Sequence, residues 1–298
     1  MKPMTNRTSE PRSWRFVEGD AITAELKAVR RLGGGSAYEA YLAFDEITYA
    51  PVVVKVIRPD RVADEHSLRG LRREVRALAT VNHPVVVRGL RHELADPRPH
   101  VVLEQIDGPR LSTLIRRHGP LPEQQYLPLA IEVAGALHFL RRIGWTHLDI
   151  KPSNVIMGAP VRLIDLSVAR PAGDAAHTRQ IGTDAYMSPE QCDPDRWGEP
   201  GFASDVWGLA VTLFEAVAGY RAFDDGDPGA ADLAAQFPQL VDEPYLLPER
   251  VPSEVAKILY AALDPVASAR PLPHELAEAL EPVLDRQPAV RLGGFKVR

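Results

Sequence analysis

The sequence predicts an α+β chain of two lobes: a small β-rich N-terminal lobe carrying one main helix, and a larger, mostly helical C-terminal lobe. Three observations predict it. Between Glu25 and Val56, β-branched and aromatic residues run in short stretches punctuated by Gly and Pro, the signature of strands joined by turns. In the window DEHSLRGLRREVRALATV, apolar side chains recur at Leu68, Leu71, Val75 and Leu78, the spacing of one helix face. From Leu111 onward the pattern turns helical.

Taken in order, residues 1–13 read as a loose tail with no apolar run, so no secretory leader is expected. ELKAVRRLGGG, AYEAYLAF and PVVVKVI read as three strands, and the helix with its Leu71 stripe follows. PHVVLEQIDG reads as a buried strand running into a turn, and the lobes are expected to meet near Asp107–Gly108. Domains are thus expected at 14–107 and 108–285, with a C-terminal tail at 286–298. Between Gln125 and Ile143, Leu127, Ile131, Ala134, Leu137 and Leu140 trace a second one-sided stripe, whose start Pro128 is expected to delay or kink. NVIMGAPVRLID reads as a hairpin of two short strands around Gly158 and Pro160. Further helices are expected near 204–218, 253–263 and 273–285, with prolines fragmenting 226–252.

Composition narrows the function classes. A net charge of −5 gives no basis for nucleic-acid binding through phosphates, and the longest apolar stretches stop well short of the ~20 residues that span a bilayer. A single cysteine, Cys192, forms no internal disulfide and points to a reducing, cytoplasmic setting. Cys192, Trp197 and Trp207 are read as core residues.

The polar residues carry more. Gly33, Gly34 and Gly35 sit between two strands, where glycine lets backbone N–H groups approach a phosphate, although the same triplet suits a plain hairpin turn. Lys55 is flanked by valines inside a strand, where an ionised lysine needs a partner or an edge facing water. Glu74, on the following helix, offers the partner or else lies on a solvated face. In THLDIKPSN, Asp149 can accept a proton or orient a hydroxyl and Lys151 can neutralise a phosphate. Asn154 and Asp165 flank the expected hairpin as oxygen donors of the kind hard Mg²⁺ prefers.

These pieces occur in an order that resembles a eukaryotic-type serine/threonine protein kinase of the sort also found in bacteria, over about Phe16 to Leu284. The resemblance implies the bilobal kinase fold, ATP and Mg²⁺ as cofactors (Mn²⁺ as a substitute) and protein substrates with Ser or Thr acceptors. It implies that Gly33, Gly34 and Gly35 cover the phosphates, that Lys55 pairs with ATP and with Glu74, and that Leu103 is the gatekeeper beside adenine-binding backbone groups of Glu104 and Ile106. HLDIKPSN resembles the catalytic loop, with Asp149 as base and Lys151 beside it; DLS resembles the metal-binding motif, giving Asn154 and Asp165 as metal ligands. SPE supplies Glu190, which Arg270 would pair with, and SDVWGLA supplies Asp205, which would support the catalytic loop. Thr183 is expected near Asp149 and Lys151, Thr178 is the candidate for autophosphorylation, and His147 is expected to pack and hydrogen-bond to backbone.

Three departures stand out. Tyr38 takes the place of the third glycine, with its ring folded over the phosphates or packed under the loop. Leu166 and Ser167 replace Phe and Gly. Leu148 stands where many members carry an arginine that receives a phosphate. A complete catalytic set favours an active kinase not gated by that phosphate. A pseudokinase acting as a binding module and a small-molecule kinase on the related fold are the alternatives. No sensor domain or membrane anchor is expected, which leaves regulation to a protein partner, with 226–252 as the contact, or to the short tails.

Overall fold

The computed structural model describes residues 12–95, 97–175 and 180–287. They form two compact units, one running to Asn82 and including Val87–Ile106, the other made of His83–Val86 and the residues from Asp107 onward.

The first unit is a five-stranded antiparallel sheet with one helix. Its strands are β1 (Leu26–Gly34), β2 (Tyr38–Asp45), β3 (Ala50–Ile57), β4 (Gly89–Glu93) and β5 (His100–Glu104), in the order β1-β2-β3-β5-β4. The three expected N-terminal strands and the strand of PHVVLE are all present; β4 was not expected. Its burial explains why, since four of its five residues are exposed and no apolar alternation marks it. Alternation along β2 and β3 puts Tyr41, Ala43, Val52, Val54 and Val56 into one core, against which Trp14 and Phe16 pack. Glu39 lies on that face with no exposure and accepts from Ser13 Oγ at 2.7 Å and the Trp14 amide at 2.9 Å. Its charge is answered by Arg58 and Arg31.

Helix α1 (Glu65–Thr80) starts where Asp64 caps it, its carboxylate accepting from the Ser67 amide at 2.8 Å. Its most buried line runs through Ser67, Leu71, Glu74 and Ala77, with Leu68, Val75 and Leu78 half-buried beside it. Glu74 therefore sits in the middle of the buried face.

The second unit contains α2 (Leu111–His118), α3 (Glu123–Arg142), α4 (Ala172–Ala175), α5 (Pro189–Cys192), α6 (Pro194–Trp197), α7 (Phe202–Ala218), α8 (Leu233–Gln236), α9 (Ser253–Ala262) and α10 (Pro273–Asp285). Pro128 does not delay α3, because the helix already begins at Glu123 and carries the proline in its second turn. Helix α7 is apolar nearly all round, as a helix enclosed by others must be, and packs against α3 and α9 while α10 packs on α3. Trp207 and Phe214 are fully buried on α7, each contributing roughly 2–3 kcal/mol of apolar burial. Trp207 and Cys192 are core residues, as expected, whereas Trp197 is only half-buried. Two short antiparallel pairs complete the unit: β6 (Trp145–Thr146) with β9 (Arg170–Pro171), and β7 (Val155–Ile156) with β8 (Arg162–Leu163). The second is the expected hairpin. Among the described residues, no helix is long and apolar enough to cross a membrane.

Candidate active site

In the first unit, Lys55 lies on β3 and Glu74 on α1, and strand and helix bring their side chains to 2.5 Å, Nζ to Oε1. Both are buried, at 7% and 2% exposed, so each charge depends on a partner. The face of the Tyr38 ring lies 4.6 Å from the same Nζ. The glycine turn is built around Gly33 and Gly34, at φ 151° and 157°. A Cβ on Gly34 would come within 2.5 Å of the Tyr38 carbonyl oxygen, so only glycine fits. Gly35 has no such constraint; its carbonyl accepts from Arg58 Nε at 2.7 Å, which ties the turn to β3 and the residue that follows it. Leu103 is buried on β5 opposite Val53, Glu104 ends that strand, and Ile106 closes this unit.

In the second unit, the loop after β6 reverses sharply. Leu148 takes φ 64°, a left-handed backbone that a branched side chain adopts only when held there. Two groups hold it. Asp205, in the first turn of α7, accepts from the amides of His147 (2.8 Å) and Leu148 (2.7 Å), and Gln191 Nε2 donates to the Leu148 carbonyl at 3.0 Å. The Leu148 side chain is buried, so it packs where an arginine would reach out. His147 is fully buried, its Nδ1 accepts from the Asp149 amide, and burial pushes its pKa down, which keeps the ring neutral. Burial likewise pushes the Asp205 carboxyl up to about 7, against the pull of its two amide donors.

The turn delivers Asp149 into a closed set of polar contacts. Thr183 Oγ1 donates to Asp149 Oδ1 at 2.8 Å, and Lys151 Nζ meets Asp149 Oδ2 at 2.7 Å and donates to Thr183 Oγ1 at 2.5 Å. Asn154 Nδ2 donates to Asp149 Oδ2 at 3.0 Å and to the Asp149 carbonyl at 2.9 Å. A carboxylate offers about four lone-pair positions, and these contacts use three, leaving one on Oδ1. The β7–β8 hairpin places Asp165 beside Asn154, since the Ile164 amide donates to the Asn154 carbonyl at 2.8 Å. Asp165 takes φ 71° and accepts from the Ser167 amide.

Glu190 on α5 and Arg270 form a bidentate pair at 2.7 and 2.8 Å with almost no exposure. Thr178 lies outside the described residues. Sequence reasoning missed Gln191 and Gln239. Gln191 also donates to the Ile181 carbonyl (2.6 Å), and Gln239 donates to the carbonyls of Asp184 and Met187, so two buried amides pin the stretch around Thr183. The only sign in the sequence was a polar residue directly after SPE.

A strand lysine paired to a helix glutamate, an Asp-Lys-Asn loop and an Asp after a hairpin also agree with a known family across the chain. Residues 26–281 match the family model for the protein kinase domain. The chain belongs to the protein kinase family. The kinase is similar to the serine/threonine-protein kinase PknB of Mycobacterium leprae, 34% identical over 207 residues that cover 66% of this chain and 33% of that protein. It is similar to drp72 of Corynebacterium efficiens, 31% identical over 273 residues (88% and 50%), and to PknK of Mycobacterium tuberculosis, 31% identical over 264 residues (86% and 23%). The matched stretch thus spans half or less of each of these relatives.

Kinase membership implies ATP and a divalent cation, and the residues present fit both. Among the described residues no three His, Cys, Asp or Glu side chains converge on one point. A cation here would take few protein ligands, which suits a hard ion that keeps waters and phosphate oxygens. Asn154 spends its NH₂ on Asp149, so its amide oxygen is the atom it would offer beside Asp165.

Proposed function

We propose that this kinase is an ATP- and Mg²⁺-dependent protein serine/threonine kinase, transferring the γ-phosphoryl group to Ser or Thr hydroxyls of protein substrates in a cytoplasmic setting. The observation that carries the reading is the closed set Asp149–Thr183–Lys151–Asn154, which aims one remaining carboxylate lone pair. The relatives named above as serine/threonine-protein kinases support it, and the one cysteine, buried and unpaired, suits a reducing compartment.

Bound ATP and its cation supply the phosphoryl donor and its charge neutralisation. In this reading Asp149 accepts the proton of the acceptor hydroxyl, and Lys151 steadies Asp149 and the transferring group. Asn154 and Asp165 hold the cation, Lys55 holds phosphate oxygens, and Gly33–Gly35 cover them. Leu103, Glu104 and Ile106 receive the base. A cavity of about 570 Å³, lined by Thr183, Asp184, Arg221 and Gln239 among others, adjoins this set and gives an acceptor segment room. Leu148, buried and held at both backbone groups, supports activity without an activation-loop phosphate. Gln191 and Gln239 do with neutral hydrogen bonds what an arginine–phosphate pair does elsewhere.

The test is transfer of labelled phosphate from Mg·ATP to a basic protein substrate, with Asp149→Asn as control. Loss of the base lowers the rate by about 10²–10⁴-fold. A folded wild type no faster than Asp149→Asn would end this reading.

A further inference from the structure

Tyr38 departs from the glycine pattern, and the departure lands on the lysine. The β2–β3 register pairs Ala40 with Lys55 and Tyr38 with Ile57, so Tyr38, Ala40 and Lys55 share one face of the sheet. Tyr38 stands diagonal to the lysine, a separation that an aromatic and a long side chain can bridge. Ala40 presents only a methyl group, and the Tyr38 ring reaches past it to within 4.6 Å of Nζ. An ammonium within about 6 Å of a ring face is attracted by its quadrupole, more strongly where water is excluded. Water is excluded here, since Lys55 is 7% exposed. Glu74 holds the same nitrogen from α1 at 2.5 Å. The ammonium is thus gripped by a carboxylate from the helix and a π face from the strand.

Glycine at position 38 would supply no grip; it would instead let backbone come closer to a phosphate. We propose that Tyr38 is a positioning residue for nucleotide binding, its ring fixing the Lys55 ammonium in the Glu74-paired orientation before the nucleotide arrives. Lysine has a flexible four-carbon stem whose rotamer freedom is lost when it grips a phosphate. Spending that loss during folding removes it from the binding step. The ring exchanges backbone approach for a preorganised cation. The role rests on Lys55 being a nucleotide-binding residue, as proposed above.

The test compares Y38F, Y38L and Y38G with the wild-type chain by calorimetric affinity for Mg·ATP, by KM and kcat in the transfer assay, and by NMR of the Lys55 ε-methylene. Phenylalanine keeps the ring and so keeps the affinity. Leucine fills similar space without a π face; it weakens Mg·ATP binding and raises KM for ATP by about 2- to 30-fold, with kcat changing less. The ε-methylene signal, moved upfield by the ring in wild type and Y38F, returns to its ordinary position in Y38L and Y38G. Y38L binding as tightly as wild type, Y38F failing alongside Y38L, or no upfield shift in wild type would each overturn the role. A wild type that shows this binding series yet transfers nothing overturns the catalytic reading and leaves the role of Tyr38 standing.

Discussion

Each unit buries an ion pair centred on a helix glutamate, Lys55–Glu74 in the first and Arg270–Glu190 in the second, and the two differ in the geometry of the cation. In the second unit, Arg270 engages Glu190 with two nitrogens and spends its remaining donors on the carbonyls of Asp264, Ala203 and Pro265, with its guanidinium over Trp207. Five donor bonds account for all five of the guanidinium's N–H groups, so this cation has no donor left for a ligand. Ser204 adds a bond to Glu190 at 2.7 Å. In the first unit, Lys55 presents one nitrogen, which reaches Glu74 Oε1 at 2.5 Å and lies 4.6 Å from the Tyr38 ring. A planar fork with every donor spent on protein locks a fold, whereas an ammonium held by a carboxylate and a ring face places a point charge.

Replacement breaks the comparison open. Arg270→Ala leaves Glu190 charged in a dry site and should cost about 3–5 kcal/mol, read as a lower urea midpoint. Replacing both partners, Glu190→Leu with Arg270→Met, removes the stranded charge but leaves three backbone carbonyls without their donor, so part of the stability returns, and phosphoryl transfer returns with the fold. The matching double change, Lys55→Met with Glu74→Leu, restores stability in the same way but, on the function proposed above, leaves transfer down by about 10²–10³-fold, because the cation proposed to hold the phosphates is gone. Recovery of transfer in that second double variant would make the two pairs equivalent and both structural.

The first-unit pair was legible in the sequence because strand and helix are local elements with clear periods: valines mark β3, and the Leu71 stripe marks α1. The loop from His147 to Asn154 and the hairpin to Asp165 were legible as motifs of a known family, and so was the partnership of Glu190 with Arg270. What stayed hidden has a common cause. Gln191 reaching Leu148, Gln239 reaching Asp184 and Ser13 reaching Glu39 are hydrogen bonds between distant stretches, set by tertiary packing and leaving no periodic trace. The two-residue strands β6 and β9 are too short for any pattern. Tyr38 had two open directions from sequence; the contact of its ring with Lys55, on the face that the β2–β3 register sets, was not legible there.

The smallest expected effect concerns another buried carboxyl, one answered by backbone dipoles. Asp205 accepts two backbone amides, and burial still carries its pKa up to about 7. Between about pH 4 and 7 the folded chain therefore keeps a proton that the unfolded chain has released, so this carboxyl makes folding less favourable as pH rises through that window. Glu190 has the opposite sign. Burial pushes it up, but Arg270 and Ser204 outweigh burial and hold it below its usual range, so its contribution is present above about pH 4.5 and lost on acidification. Asp205→Asn isolates the first effect. It turns an NH₂ toward a backbone N–H and should cost about 1–3 kcal/mol. Urea titrations from pH 4 to pH 8 should show the gap between wild type and Asp205→Asn narrowing as pH rises. A gap that widens instead would mean that two amide dipoles hold Asp205 ionised against burial, as effectively as the guanidinium holds Glu190.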